Sequence, residues 1–199
     1  LIKRGVNPKK VTIIQQIVDE TRFDTGPDTS IPSCISPVEE SGKNIVFIGR
    51  YNRVKGIDRL LSAVPKVVNR DDNYHFVLIG DDEEKLSIPE SYRDNISQVG
   101  TVEPEEIPRY LQFADALVLP SRLEGMPRVL IEALLAETPV IAMDVGDNSD
   151  VTDNIARNEE ELVNYLLDVG EIDLDDPGQY KLVNSKADIR RFFDDIELR

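Results

Sequence analysis

Six short apolar runs punctuate the chain: VTII (11 to 14), NIVFIG (44 to 49), HFVLIG (75 to 80), ISQVG (96 to 100), DALVLP (115 to 120) and PVIAM (139 to 143). They are rich in Val and Ile and lack strict apolar/polar alternation. That is the pattern of strands covered on both faces, the mark of a parallel sheet. Between them, IDRLLSAVPKVVNR (57 to 70), PEEIPRYLQFA (104 to 114) and PRVLIEALLA (127 to 136) carry apolar residues at helical spacing. The third opens with proline, which suits a first helical turn because its missing N–H would have had no intrahelical acceptor. Strand and helix in alternation predict an α/β fold with a doubly wound parallel sheet of about six strands, whose ligand lies at the carboxyl ends of the strands.

Residues 24 to 42, DTGPDTSIPSCISPVEESG, are rich in Pro, Ser and Asp and read as an irregular connection into the main domain. After DVGDNSDVTDN (144 to 154), two amphipathic stretches, NEEELVNYLLDV (158 to 169) and KADIRRFFDDI (186 to 196), read as helices. The chain therefore divides into a lead-in segment and linker over 1–42, a core over 43–157 and C-terminal helices over 158–199. No internal repeat is visible.

Charge narrows the class of partner. The formal net charge is −15, from 38 acidic against 23 basic residues, and a surface of this sign repels nucleic acid and anionic membranes. The Tyr and Phe residues are not interleaved with basic ones, so base stacking is not supported either. The excess reads first as an ordinary solvated surface, and a halophilic origin, with a high-salt cytoplasm screening the self-repulsion, is the source we expect for it. Cys34 stands alone, so there is neither a disulfide framework nor a metal-ligand spacing, and a reducing cytoplasmic compartment fits. No apolar run has membrane-spanning length. The first residue is Leu1, not Met, which leads us to expect a fragment of a longer protein.

Two strand ends carry candidate chemistry. GRYNRVKG places Arg50 and Lys55 in one loop between Gly49 and Gly56, and two cations at a strand end and helix start suit a diphosphate. LEGMPRVLIEALL follows DALVLPSR and sets Glu124 in the turn before a helix and Glu132 in its second turn. An unpartnered carboxylate in so apolar a stretch is costly, so each needs a partner. One arrangement offers both to the hydroxyls of a sugar or ribose, with the N–H groups of Gly125 and Met126 facing the ligand's oxygens. The other pairs Glu132 with Arg50 or Arg128 and has Glu124 cap the helix. The two can coexist.

The motifs as a set resemble the GT-B glycosyltransferases of the family 4 type. EGMPRVLIE is similar to that family's Glu-x7-Glu motif, VFIGRYNRVKG to its Gly-Arg-Leu…Lys-Gly loop, VTIIQQIVDETRF to its interdomain Pro-Asn-Gly turn and following Phe, and VGTVEPEEIPRYLQFADALVLPS to its Gly-x-Val…Pro-Ser stretch. The likeness covers roughly residues 5 to 155. It implies a Rossmann-like C-terminal domain that binds a nucleotide-sugar donor, with 1–42 as an interdomain segment and the acceptor held by an N-terminal domain of the same protein that this chain lacks. It further implies that Arg50 and Lys55 hold the diphosphate and stabilise the leaving nucleotide. Glu124, with the amides of Gly125 and Met126, would contact donor-sugar hydroxyls. Glu132 would bind the ribose, Leu130 would line the pocket beside it, Thr101 and Val102 would face the base, and Gly49 would border the diphosphate loop. The catalytic set implied is Arg50, Lys55 and Glu124, with no metal and no cofactor beyond the nucleotide-sugar substrate. A membrane or lipid acceptor stays open through the N-terminal domain.

The expected reaction is transfer of a sugar, with retention and without metal, from a UDP- or GDP-type donor to an acceptor alcohol, the isolated fragment being poorly active. The alternatives are a sugar-nucleotide epimerase of the same fold and a non-catalytic nucleotide-binding or interaction module. The chain departs from the family pattern at Gln15-Gln16-Ile17 in place of Pro-Asn-Gly, at Glu137 in place of a glycine, and at Asp147 and Asp150 in VGDNSD. A glycine lost at positive φ costs about 1 kcal/mol and implies an altered loop. His75 has no partner motif and reads as structural, and DDEE (81 to 84) as a solvated face.

Overall fold

The structure is a computed structural model and describes residues 7, 18–23, 35, 42–81 and 86–178. Six strands form one sheet: β1 Lys43–Ile48, β2 Tyr74–Ile79, β3 Ile96–Gly100, β4 Ala116–Leu119, β5 Val140–Met143 and β6 Ile155–Ala156. Their order is β3-β2-β1-β4-β5-β6, and every pairing is parallel. Among the described residues the α-helices are α1 Ile57–Val68, α2 Ile107–Phe113, α3 Arg128–Leu135 and α4 Glu159–Leu167.

The near-continuous apolar runs have the cause inferred for them, because both faces of the sheet are covered. Ile45, Phe47, Phe76 and Val118 point to one face and pack with Leu60 and Val64 of α1 and Leu162 of α4. Val46, Val77, Leu117 and Ala142 point to the other and pack with Leu111 of α2 and Leu130 and Leu134 of α3. The chain winds outward from β1 to β3, crosses over, and winds outward again from β4, so the strand order reverses between β1 and β4. Loops leaving two adjacent parallel strands in opposite directions open a crevice at their carboxyl ends. The two candidate loops leave these two strands.

Five of the six apolar runs are strands. The run at 11–14, like the helix expected at 186–196 and residues 82–84, lies outside the described residues. The sixth strand observed is Ile155–Ala156 at the sheet edge, a pair too short to stand out as an apolar run. The second helix begins at Ile107 and not at Pro104, because Glu103–Glu106 form a turn closed by Glu106 N–H donating to the Glu103 carbonyl at 2.9 Å. Among the described residues no helix is long and apolar enough to cross a membrane.

Residues 18–23 of the lead-in segment are anchored on the core. Val18 and Phe23 are buried in the α2/α3 face of the core, and between them Glu20–Arg22 make one 3-10 turn, with Thr21 N–H donating to the Asp19 carboxylate at 3.2 Å.

Candidate functional site

The loop after β1 is folded by its own side chains. Asn52 N–H donates to the Arg50 carbonyl at 2.9 Å, and the Asn52 carboxamide accepts from Lys55 N–H at 2.9 Å. Gly56 then starts α1 at φ 74°, where a Cβ would stand 1.9 Å from the Pro120 carbonyl oxygen. Only glycine lets the loop after β1 lie on the loop after β4.

Arg122 fastens the two loops together. Its N–H donates to the Val54 carbonyl at 2.9 Å, and its guanidinium forks onto Asp58 at 2.6 and 2.8 Å while also reaching the Arg53 carbonyl at 2.8 Å. The hydrogen bond from Arg122 holds the Asp58 carboxyl below its ordinary value against some desolvation. Arg59 adds bonds to the carbonyls of Pro120 and Ser121 at 3.3 and 3.2 Å.

At the centre of this unit Lys55 Nζ lies 2.7 Å from Glu124 Oε1, and the fully buried Ser121 hydroxyl donates to the same oxygen at 2.7 Å. The Glu124 side chain is 7% exposed and that of Lys55 25%, so the pair sits at the boundary of the protein interior. Both donors take Oε1. Among the described residues Oε2 accepts no hydrogen bond, and it remains an acceptor for another group. The N–H groups of Gly125 and Met126 likewise have no hydrogen-bond acceptor among the described residues. Glu124 does not cap α3: the cap position is Pro127, with no side-chain bond, because Lys55 and Ser121 hold the carboxylate away from the helix start.

Glu132 is built on the same plan. Arg128 Nη2 lies 3.1 Å from Glu132 Oε1 and Arg22 Nη1 3.6 Å from it, while Oε2 is left without a bond among the described residues. The internal ion pair expected with Arg128 is present. The second partner is Arg22, in place of the Arg50 considered from sequence, because Val18 and Phe23 anchor the Glu20–Arg22 turn on the α3 side of the sheet.

The remaining candidates are placed as follows. Gly49 continues the β1–β2 ladder through its N–H to the Ile79 carbonyl at 2.9 Å, and Arg50 is exposed immediately after it. Thr101 is exposed just past the end of β3, and Val102 is half-buried against the core. Leu130 has no accessible surface and packs among core residues, so in this arrangement it offers a ligand no wall of its own. The loop 145–150, which sequence left without a role, lies over the Glu124 turn: Asp147 N–H donates to the Gly125 carbonyl at 3.1 Å. Gly146 permits this at φ 59°, where a Cβ would fall 2.4 Å from the Glu124 carbonyl oxygen. His75 is buried, with Nε2 2.8 Å from the Ser97 hydroxyl, near the opposite end of the sheet from the loops. Glu137 has φ 60°, the conformation expected where the family pattern has glycine.

Sequence reasoning missed Ser121, Arg122 and Arg22. Ser121 stands in the quoted stretch VLPSR, three residues before Glu124. The partners of Arg122 and Arg22 are 64 and 110 positions away, at Asp58 and Glu132, and no local spacing announces either pair.

The model of the family described as glycosyl transferases group 1 matches residues 42–170, from the start of β1 through α4. The chain belongs to that family. The alpha-D-kanosaminyltransferase of Streptomyces kanamyceticus is 27% identical over 160 residues, which are 78% of this chain and 37% of that protein. The D-inositol 3-phosphate glycosyltransferase of Segniliparus rotundus is 26% identical over 151 residues, 71% of this chain and 33% of that protein. The chain thus spans well under half the length of these glycosyltransferase relatives. Among solved structures, Anabaena HepE in complex with UDP-glucose superposes with a TM-score of 0.72 at 17% identity, covering 98% of this chain and 60% of that one. Sucrose-phosphate synthase from Thermosynechococcus elongatus gives 0.71 at 19% identity, covering 94% and 53%. At these identities the superpositions establish the fold, the Rossmann-like α/β domain of GT-B glycosyltransferases.

Proposed function

We propose that this group 1 glycosyltransferase domain binds the nucleotide-sugar donor, of UDP or GDP type, in a retaining and metal-independent transfer of a sugar to an acceptor alcohol. The observation that carries the reading is the Lys55–Glu124 contact of 2.7 Å at the reversal of strand order. It sets a cation suited to a diphosphate against a carboxylate with an acceptor to spare. Lys55 together with Arg50 offsets the charge that grows on the departing diphosphate, work that a metal ion does elsewhere. Glu124 Oε2 and the N–H groups of Gly125 and Met126 take the sugar hydroxyls, Glu132 Oε2 the ribose, and the segment at Thr101 and Val102 the base. The acceptor attacks on the face from which the nucleotide leaves, and the acceptor site belongs to an N-terminal domain of the same protein. A cytoplasmic location and adaptation of the −15 surface to high salt belong to the same proposal.

HepE, which shares the fold, is seen with UDP-glucose, and this supports the nucleotide-sugar class. Calorimetry of the chain with UDP, GDP and ADP tests the reading. Binding of UDP or GDP is expected, and failure of all three at millimolar concentration with the fold intact would overturn it.

A further inference from the structure

Arg22 stands in VTIIQQIVDETRF, a stretch for which no ligand contact was expected, yet it touches both helix α3 and the β3–α2 loop. Its Nη1 is 3.6 Å from Glu132 Oε1, and its Nη2 donates to the carbonyl of Pro104 in the loop after β3, three residues beyond Thr101. One guanidinium therefore spans from helix α3 to the β3–α2 loop. The span is fixed at its base, because buried Val18 and Phe23 hold the Glu20–Arg22 turn on either side of the arginine.

The chemistry of the contact is specific. A guanidinium offers its donors in a rigid planar fork, which a lysine does not. Arg22 and Arg128 both approach Oε1 of Glu132, so the carboxylate is held from two directions by one oxygen and presents the other, Oε2, as an acceptor of known orientation. The Glu132 side chain is only 12% exposed, and the two cations beside it supply the counter-charge that a part-buried carboxylate needs.

We infer that Arg22 is a positioning residue for the nucleoside half of the donor site: by bridging Pro104 and Glu132 it aims Glu132 Oε2 at the ribose hydroxyls and fixes the β3–α2 loop beside the base. This rests on the donor-binding reading above. Arg22 touches no ligand itself; it acts through Glu132 and the loop. It also makes the Glu20–Arg22 turn part of the nucleoside site, so that a displacement of that turn changes ribose recognition.

The test compares UDP and GDP with their 2′,3′-dideoxy counterparts, by calorimetry on the full 199-residue chain and on its Arg22→Gln and Arg22→Lys variants. In the unsubstituted chain the ribonucleotide binds at least tenfold more tightly than the dideoxynucleotide. In Arg22→Gln that ratio falls to below threefold, while affinity for the dideoxynucleotide changes less than affinity for the ribonucleotide. Arg22→Lys, which keeps the charge but not the fork, restores part of the ratio. A merely structural role would lower the melting temperature and weaken both ligands alike, leaving the ratio unchanged, and that result overturns the inference. An unsubstituted chain that binds both nucleotides equally overturns it as well, by removing the ribose contact. A chain that binds neither overturns the donor-binding reading itself, so the two failures are told apart.

Discussion

Lys55 and Glu124, 69 positions apart in the chain, are joined at 2.7 Å across the gap between β1 and β4. The carboxylate is nearly enclosed, and its charge is met by Lys55 and the Ser121 hydroxyl through a single oxygen. On the proposed reading a donor sugar would add hydroxyls to the open oxygen, whereas the free nucleoside diphosphate, which lacks the transferred sugar, would not. Glu124→Gln is therefore expected to weaken binding of the nucleotide-sugar by about 10- to 150-fold, the span of a charge-assisted hydrogen bond of about 1.5 to 3 kcal/mol, and to leave UDP or GDP within about threefold. Calorimetry with nucleotide-sugar and free nucleotide side by side reads the difference; equal losses for both would place Glu124 elsewhere than at the sugar.

Gly146 lets the loop after β5 rest on the Glu124–Gly125 turn. In Gly146→Ala the new methyl carbon would meet the Glu124 carbonyl oxygen at 2.4 Å in a backbone of positive φ. The loop must lift, and a loss of more than about 1 kcal/mol in urea unfolding is expected, accompanied by weaker nucleotide-sugar binding. An unchanged unfolding midpoint would show that the loop does not need this approach.

Glu137 closes α3. Its N–H donates to the Leu134 carbonyl at 3.1 Å and Thr138 N–H to the Ala133 carbonyl at 2.9 Å, the paired bonds of a Schellman ending, with Glu137 in the left-handed position that glycine favours. Glu137→Gly removes the Cβ penalty and is expected to stabilise the domain by about 1 kcal/mol, seen as a raised urea midpoint at unchanged slope. A destabilised variant would mean that the glutamate side chain itself contributes.

Burial lowers the pKa of His75 from its ordinary 6.5, against a backbone hydrogen bond at Asp94 that raises it. The folded protein thus binds the proton less readily than the unfolded chain. The stabilisation is complete above about pH 6.5 and is lost as pH falls toward the folded-state value, at no more than about 1.4 kcal/mol per pH unit for one proton. Unfolding free energies between pH 7.5 and 5.5 should decline, and His75→Gln should flatten that decline. A slope unaffected by the substitution would assign it to other groups.

Much of this architecture is legible in local sequence. The strands at 43–48, 74–79, 116–119 and 140–143 show as apolar runs because burial on both faces demands it, and Pro127 marks the start of α3 because proline fits there. The two loops that meet at the strand-order reversal are each recognisable by their glycines and charges, and Glu137 stands out as a side chain where glycine is favoured. What is not legible is pairing at long range. Arg122 with Asp58, Arg22 with Glu132 and Ser121 with Glu124 are set by how loops stack once the sheet has formed, and charge types alone left Arg50 and Arg128 as equal candidates for Glu132. Leu130 shows the same limit from the other side, since its position in the motif does not reveal that its side chain is wholly enclosed.

Lys55, proposed to hold the diphosphate of the donor, is tested most directly by calorimetry on Lys55→Ala with the nucleoside diphosphate and with the matching nucleoside. The diphosphate is expected to lose about 1.5 to 3 kcal/mol of binding free energy and the nucleoside to change by less than about 0.5 kcal/mol, once circular dichroism has shown the variant folded. Equal losses for the two ligands, or none for either, would contradict that role.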